Sequence, residues 1–202
     1  MATATRIGCD NVVVAKLTES TDGTPTYIEP TALPGVIKLS VNPNASLDTL
    51  FYDDGPGDTA ATLGKIEVEF EKNALSTTEK AYLLGHGIDT NGVLVFGAND
   101  VPPWIALGFR TLKSNGTYKF VWLLKGKFSD PEESNETKGD SISFQTDTIK
   151  GQFVKLNKEY TVDGKTSKPY KTEVDEEHTG ANAKLITDWF KAPVLPNATV
   201  AV

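Results

Sequence analysis

Residues 104–128 read WIALGFRTLKSNGTYKFVWLLKGKF, two apolar-rich runs either side of Asn115-Gly116. An Asn-Gly pair is the favoured occupant of a two-residue hairpin loop, because both loop positions take positive φ. The spacing therefore predicts a β-hairpin in which Ser114 faces Thr117, Phe109 pairs with Trp122, Leu107 with Leu124 and Thr111 with Phe120. One face then collects Ile105 with Leu107, Phe109, Phe120, Trp122 and Leu124, and the last five are the expected fold core. The opposite face carries Ala106, Gly108, Arg110, Lys119 and Lys125 together with Leu112, Val121 and Leu123, so it is mixed. Each cross-strand pair of such residues contributes roughly 0.2 to 1 kcal/mol. A one-residue slip of this register loses several pairs at once.

Working outward, 202 residues with 39% hydrophobic content suit one domain with a real core. No run approaches the ~18 to 20 apolar residues of a membrane span, and the start, MATATR, lacks the apolar stretch of a signal peptide. Both point to a chain made and kept in a cytoplasm. Cys9 is the single cysteine, which excludes an internal disulfide framework and predicts a small buried apolar residue. A net charge of -7 argues against a sequence-reading nucleic-acid binder, although not against DNA passing close by.

Along the chain, residues 10–17 (DNVVVAKL), 36–41, 65–70 (KIEVEF) and 92–96 read as strands, with a short extended piece at Tyr27 and Ile28. Ser76-Thr77-Thr78-Glu79 has capping-box spacing and Gly85 suits a left-handed stop, which predicts a short helix between them. Residues 141–144 and 148–154 give two further short strands. Residues 181–191 place Leu185, Ile186, Trp189 and Phe190 on one stripe of a core-facing helix that Pro193 ends. Residues 47–63, LDTLFYDDGPGDTAATL, combine an apolar start, a Gly-Pro-Gly centre among Asp53, Asp54 and Asp58, and a small-residue exit. They read as a long loop or an extended hairpin. Acids dominate residues 129–147, lysines residues 150–171 and acids again residues 173–177. Such blocks are either solvated faces or charges that pair between copies.

Catalytic patterns are sparse. Gly164-Lys165-Thr166 fails as a phosphate loop, since Glu159 stands where the first glycine is required, and reads as a turn. His86 and His178 have no ligand at helical spacing. The acids of 173–177 and of 53–58 lack the positioned glycine of a calcium loop. Neither Cys9 nor any serine carries a local nucleophile signature. The sequence is read as non-enzymatic, with no cofactor and no metal.

The order and spacing of several pieces resemble the major tail proteins, or tail tube proteins, of long non-contractile-tailed phages of Gram-positive bacteria. The pieces are Leu17-Thr18, Gly92-Val93-Leu94-Val95, Pro102-Pro103, Ala106-Leu107-Gly108-Phe109, residues 115–122 (NGTYKFVW), Lys125-Gly126-Lys127-Phe128, Thr137-Lys138-Gly139-Asp140 and Phe144-Gln145-Thr146, across residues 8 to 156. The resemblance implies a mainly β (α+β) domain: a β-sandwich of tail-tube type flanked by a short helix, with a hairpin or loop arm and a C-terminal helix. It further implies six copies closing a ring, rings stacking into a tube, and DNA passing through the bore without specific binding. Implied partners are further copies, a tape measure protein, a tail terminator and tail-tip proteins, with no membrane. The implied location is the virion tail, and the host cytoplasm during assembly. On this reading residues 1–202 are one domain, with an N-terminal arm at 1–9, an inter-subunit loop at 47–63 and a C-terminal tail at 192–202. By position in that family, Leu47, Leu50, Phe51, Tyr52, Asp53 and Asp54 are the expected subunit interface. The competing reading is a monomeric β-sandwich module that stacks carbohydrate on Trp104, Trp122 or Trp189.

Overall fold

A computed structural model of the chain describes residues 4–52, 55–133, 136–137 and 144–197. The strands are β1 (Arg6–Glu19), β2 (Pro25–Tyr27), β3 (Thr31–Ala32), β4 (Val36–Asn42), β5 (Ala45–Tyr52), β6 (Gly55–Leu63), β7 (Ile66–Lys72), β8 (Gly87–Ile88), β9 (Leu94–Val95), β10 (Ile105–Lys113), β11 (Tyr118–Phe128), β12 (Asp147–Phe153), β13 (Tyr160–Val162), β14 (Lys165–Ser167) and β15 (Lys171–Asp175). The helices are α1 (Thr77–Leu84) and α2 (Ala183–Thr187). The protein is mainly β, and its strand pairs are antiparallel.

The main sheet runs β2-β1-β10-β11-β12-β7-β4, with β3 added to β1 and β15 to β11. β11 is the pivot. Residues 119–123 pair with β15, while Gly126, Lys127 and Phe128 pair with Phe153, Gln152 and Gly151 of β12. Because β11 changes partner along its length, the β12-β7-β4 limb packs its apolar face against the β1-β10-β11 limb. Val12, Val14, Ile105, Leu107, Phe109, Val121 and Leu123 from one limb meet Ile66, Val68, Phe70, Ile149 and Phe153 from the other. Leu83 and Leu84 of α1 complete this core. The reverse face of the hairpin is covered as well: Ala106, Phe120, Trp122 and Leu124 pack with Leu17, Leu156 and Trp189, and Leu185, Ile186, Phe190, Val194 and Leu195 lie against them.

The hairpin forms, but its register differs by one residue from the sequence reading. Gly108 faces Trp122, Phe109 faces Val121, Leu107 faces Leu123 and Thr111 faces Lys119. The cause is the turn. Gly116 alone takes the left-handed conformation, at φ 84°, and Asn115 does not. Gly116 N–H donates to Lys113 C=O at 2.9 Å and Lys113 N–H donates to Thr117 C=O at 2.9 Å, so the loop holds three residues ending in a glycine bulge. The expected core residues therefore split. Leu107 and Phe109 belong to the inter-limb core, whereas Phe120, Trp122 and Leu124 belong to the core beneath the C-terminal segment.

Local signals account for α1. Ser76 accepts from the Glu79 N–H while the Glu79 carboxylate accepts from the Ser76 N–H, and Gly85 closes the helix at φ 81°. Elsewhere the structure corrects the sequence reading. Residues Arg6 to Cys9, assigned to an arm, lie in β1 opposite β10. Cys9 is exposed rather than buried. The C-terminal helix spans five residues rather than eleven, with turns continuing to Lys191, yet Trp189 is buried. Gly164 lies in a turn as expected, that of a small hairpin, β13–β14, whereas β15 emerges from the block expected to be only a charged face. The strand expected at 141–144 lies largely outside the described residues. Among the described residues, no helix is long and apolar enough to cross a membrane.

Candidate functional site

β5 and β6 form a separate two-stranded sheet. Residues 42–50 and 58–65, the described flanks and strands of this hairpin, are exposed on both faces. Its alternation places Ala45, Leu47, Ala61 and Leu63 on one side, with Ala45 opposite Leu63 and Leu47 opposite Ala61. Cross-strand hydroxyl pairs, Ser46 with Thr62 at 2.7 Å and Thr49 with Thr59 at 3.3 Å, hold the ladder together. The base is fixed by Asn44, which sits at φ 41° and donates from Nδ2 to the Lys65 carbonyl at 3.0 Å. Its own carbonyl accepts from the Gly64 N–H at 3.2 Å. Residues 47–52 and 55–63 thus form an arm with a defined base.

Leu47 is 74% exposed, Leu50 63% and Leu63 48%. Burying a whole leucine side chain is favourable by roughly 1.5 to 3 kcal/mol, so covering these three is worth about 3 to 6 kcal/mol. That is a large incentive to associate for a chain whose total stability is of order 5 to 15 kcal/mol. Of the other residues expected at this interface, Phe51 and Tyr52 lie in β5 with side chains outside the described residues, and Asp53 and Asp54 lie outside them altogether.

A second exposed apolar group lies after α1: Ile88, Val93, Val95, Phe96 and Val101 are all more than two-fifths exposed. The loop that carries them is anchored by His86, a residue sequence spacing leaves without a role. His86 Nδ1 lies 2.8 Å from Asp100 Oδ2 and Nε2 2.8 Å from Asp130 Oδ1, and its ring packs on Phe96 at 4.4 Å between centroids. Two carboxylate partners are both satisfied only when each ring nitrogen donates, so the site favours the imidazolium. The Asp100 and Asp130 hydrogen bonds accordingly raise the His86 pKa above its ordinary value, against desolvation. In that form the ring has no free nitrogen for a metal or for base catalysis. Nothing in sequence joins these residues, which stand 14 and 44 positions apart.

The charged blocks pair within the subunit. Lys113 binds Asp175 at 2.6 Å and Glu177 at 2.5 Å, and Glu173 bridges Lys119 and Lys171 at 2.5 Å each. These contacts tie β15 to the central hairpin, so for these acids pairing between copies is replaced by pairing inside one copy. Among the described residues no group of three or more His, Cys, Asp or Glu is arranged to hold a metal ion.

Of the three tryptophans offered as sugar platforms, Trp122 and Trp189 are buried, and Trp122 Nε1 donates to the Trp189 carbonyl at 2.9 Å. Trp104 is 36% exposed, but the Lys125 and Lys127 ammonium groups each lie 4.7 Å from its ring centroid. Cation–π contacts of this kind compete with a sugar for the ring. Fold and site together define a mainly β, antiparallel protein with a self-paired, apolar, outward arm. Compared with known proteins, the chain matches no family model and no curated protein.

Proposed function

We propose that this chain is a structural subunit that assembles with copies of itself into stacked hexameric rings, forming the tail tube of a long non-contractile-tailed phage. The observation that carries this reading is the β5–β6 arm, ordered at its base yet exposed along both faces with three leucines in water. Open sheet edges support it. Among the described residues β4 and β15 each have a strand partner on one side only, and an unpaired edge is a template for a neighbouring chain unless a ring closes it. The resembling pieces fall largely on β1, β9 and the β10–β11 hairpin, and β10–β11 packs against the β4–β7 limb from which the arm projects.

On this reading the tube is a β-sandwich assembly whose bore conducts DNA. A net charge of -7 suits a conduit that must not hold phosphate. Its partners are its own copies, a tape measure protein, a terminator and tip proteins, its place is the virion tail, and it performs no catalysis. Negative-stain electron microscopy with light scattering on concentrated protein, and on protein released from intact particles, tests the reading. Rings or tubes are expected. Monomers alone in both preparations would refute it.

A further inference from the structure

Among the described residues the main sheet is open: its path ends at β4 on one side and at β2 on the other, while β15, off that path, pairs with β11 alone and leaves its outer edge free. Between the limbs lies a cleft of about 220 Å³, with Leu39 and Val41 from β4 facing Phe109 and Val121 of the hairpin, and Tyr170 and Cys9 at its sides. Thr111 also lines it, and its buried hydroxyl has no hydrogen-bond partner among the described residues. Leaving such a group unpaired costs about 1 to 3 kcal/mol. Lys171 and Glu173 of β15 and Leu39 and Val41 of β4 border the same cleft. An added strand would therefore find free backbone groups together with an apolar floor, the requirements for β-augmentation.

The rim of the cleft carries Arg6, Lys119 and Lys171 against the single acid Glu173. Residues 45–63, the whole arm, contain four aspartates and no base. The arm's own apolar side, Ala45, Leu47, Ala61 and Leu63, matches the apolar floor, and an eight-residue strand reaches about 26 Å. The arm cannot turn back into its own cleft without breaking its base. Pro43 is part of the cleft lining, and the next residue, Asn44, fixes the outward course through its bonds to Gly64 and Lys65.

We infer that the β5–β6 arm of one copy seats in the cleft between β4 and β15 of a second copy. The inference rests on the self-assembly reading above and names the acceptor for the arm. Donor and acceptor are different patches, so the contact is head-to-tail. Such contacts propagate into closed rings or open filaments rather than stopping at a dimer.

Cys9, the sole cysteine and a wall of the cleft, makes the contact testable. Leu47→Cys and Leu50→Cys proteins, with Ile28→Cys as an exposed control, are oxidised with copper–phenanthroline in alkaline buffer and run on non-reducing gels. Alkaline buffer is needed because partial desolvation of the thiol at the cleft wall, together with the adjacent Asp10, pushes the Cys9 pKa up to about 11. The expected result is a ladder of three or more linked copies for at least one arm variant, none for Ile28→Cys, and loss of the ladder when Cys9→Ser is added. Products that stop at dimers, or an intrachain disulfide in the arm variants, overturn the inference. Tubes by microscopy without a ladder would refute this acceptor while keeping the tube. A ladder without rings or tubes would keep the arm–cleft contact and refute the tail-tube reading.

Discussion

Trp122 offers a sharp test, because both the energetics and the hairpin register bear on it. Its side chain is fully buried, its ring packs against Phe190 at 6.1 Å between centroids, and its Nε1 donates to the Trp189 carbonyl. Truncating a buried tryptophan to alanine costs about 3 to 5 kcal/mol. Stranding a buried carbonyl adds about 1 kcal/mol, giving about 4 to 6 kcal/mol for Trp122→Ala. For a chain of this size each kcal/mol lowers the melting temperature by about 2 to 4 °C, so the fall should be about 8 to 24 °C. The register gives the second arm of the test. A methyl group on Gly108 would lie 2.8 Å from three carbons of the Trp122 ring. Gly108→Ala should therefore destabilise by about 1 to 3 kcal/mol through overpacking. In a Trp122→Ala background, where the ring is gone, the same change should be nearly neutral. Thermal and urea melts followed by circular dichroism complete the cycle. Additive effects of the two substitutions, or a Trp122→Ala protein melting within about 2 °C of the parent, would refute the packing described here.

Leu47→Ser with Leu50→Ser, at exposed positions, should change the subunit's stability by less than about 1 kcal/mol and yet abolish rings and tubes in micrographs, because the area they would cover lies between copies. A lost monomer fold would instead place them in the subunit's own core. His86 should make stability depend on pH in one direction: its folded-state pKa lies above the ordinary 6.5, so the clamp is fully effective below about that pH and fades as pH rises through the folded value. The gap in melting temperature between the parent and His86→Gln should accordingly be wide near pH 6 and narrow in more alkaline buffer, and a constant gap would contradict the imidazolium. Ser76→Ala removes one half of the α1 capping box and should cost about 1 kcal/mol in urea unfolding, with Ser76→Asp retaining most of it.

Much of this fold is local and was legible in the chain. The capping box and terminal glycine of α1, the alternation of β7 and the existence of the β10–β11 hairpin each follow from neighbours a few residues apart. The hairpin register did not. Two-residue and three-residue loops compete at Ser114-Asn115-Gly116, and hydrophobic alternation arbitrates between them only when one face is wet. Here Leu107 and Phe109 face one core while Phe120, Trp122 and Leu124 face another, so either register buries apolar side chains. β15 was hidden for the opposite reason. Its lysine and acids resemble a solvated block until Lys113 and Lys119, more than fifty residues upstream, arrive to pair with them.

The same division holds for the candidate site. Composition marked residues 47–63 as a long loop or extended hairpin with an apolar start. Whether Leu47 and Leu50 are covered depends on what lies beside them in space, and the lock at Asn44 that turns the arm outward joins it to Gly64 and Lys65, about twenty residues downstream. The His86 clamp and the cleft between β4 and β15 likewise exist only once the sheet has turned at β11. Sequence by itself determined the elements whose partners lie within a turn or two of chain. Tertiary structure decided which surfaces remain open, because exposure and long-range pairing are properties of the assembled limbs, and no single segment carries them.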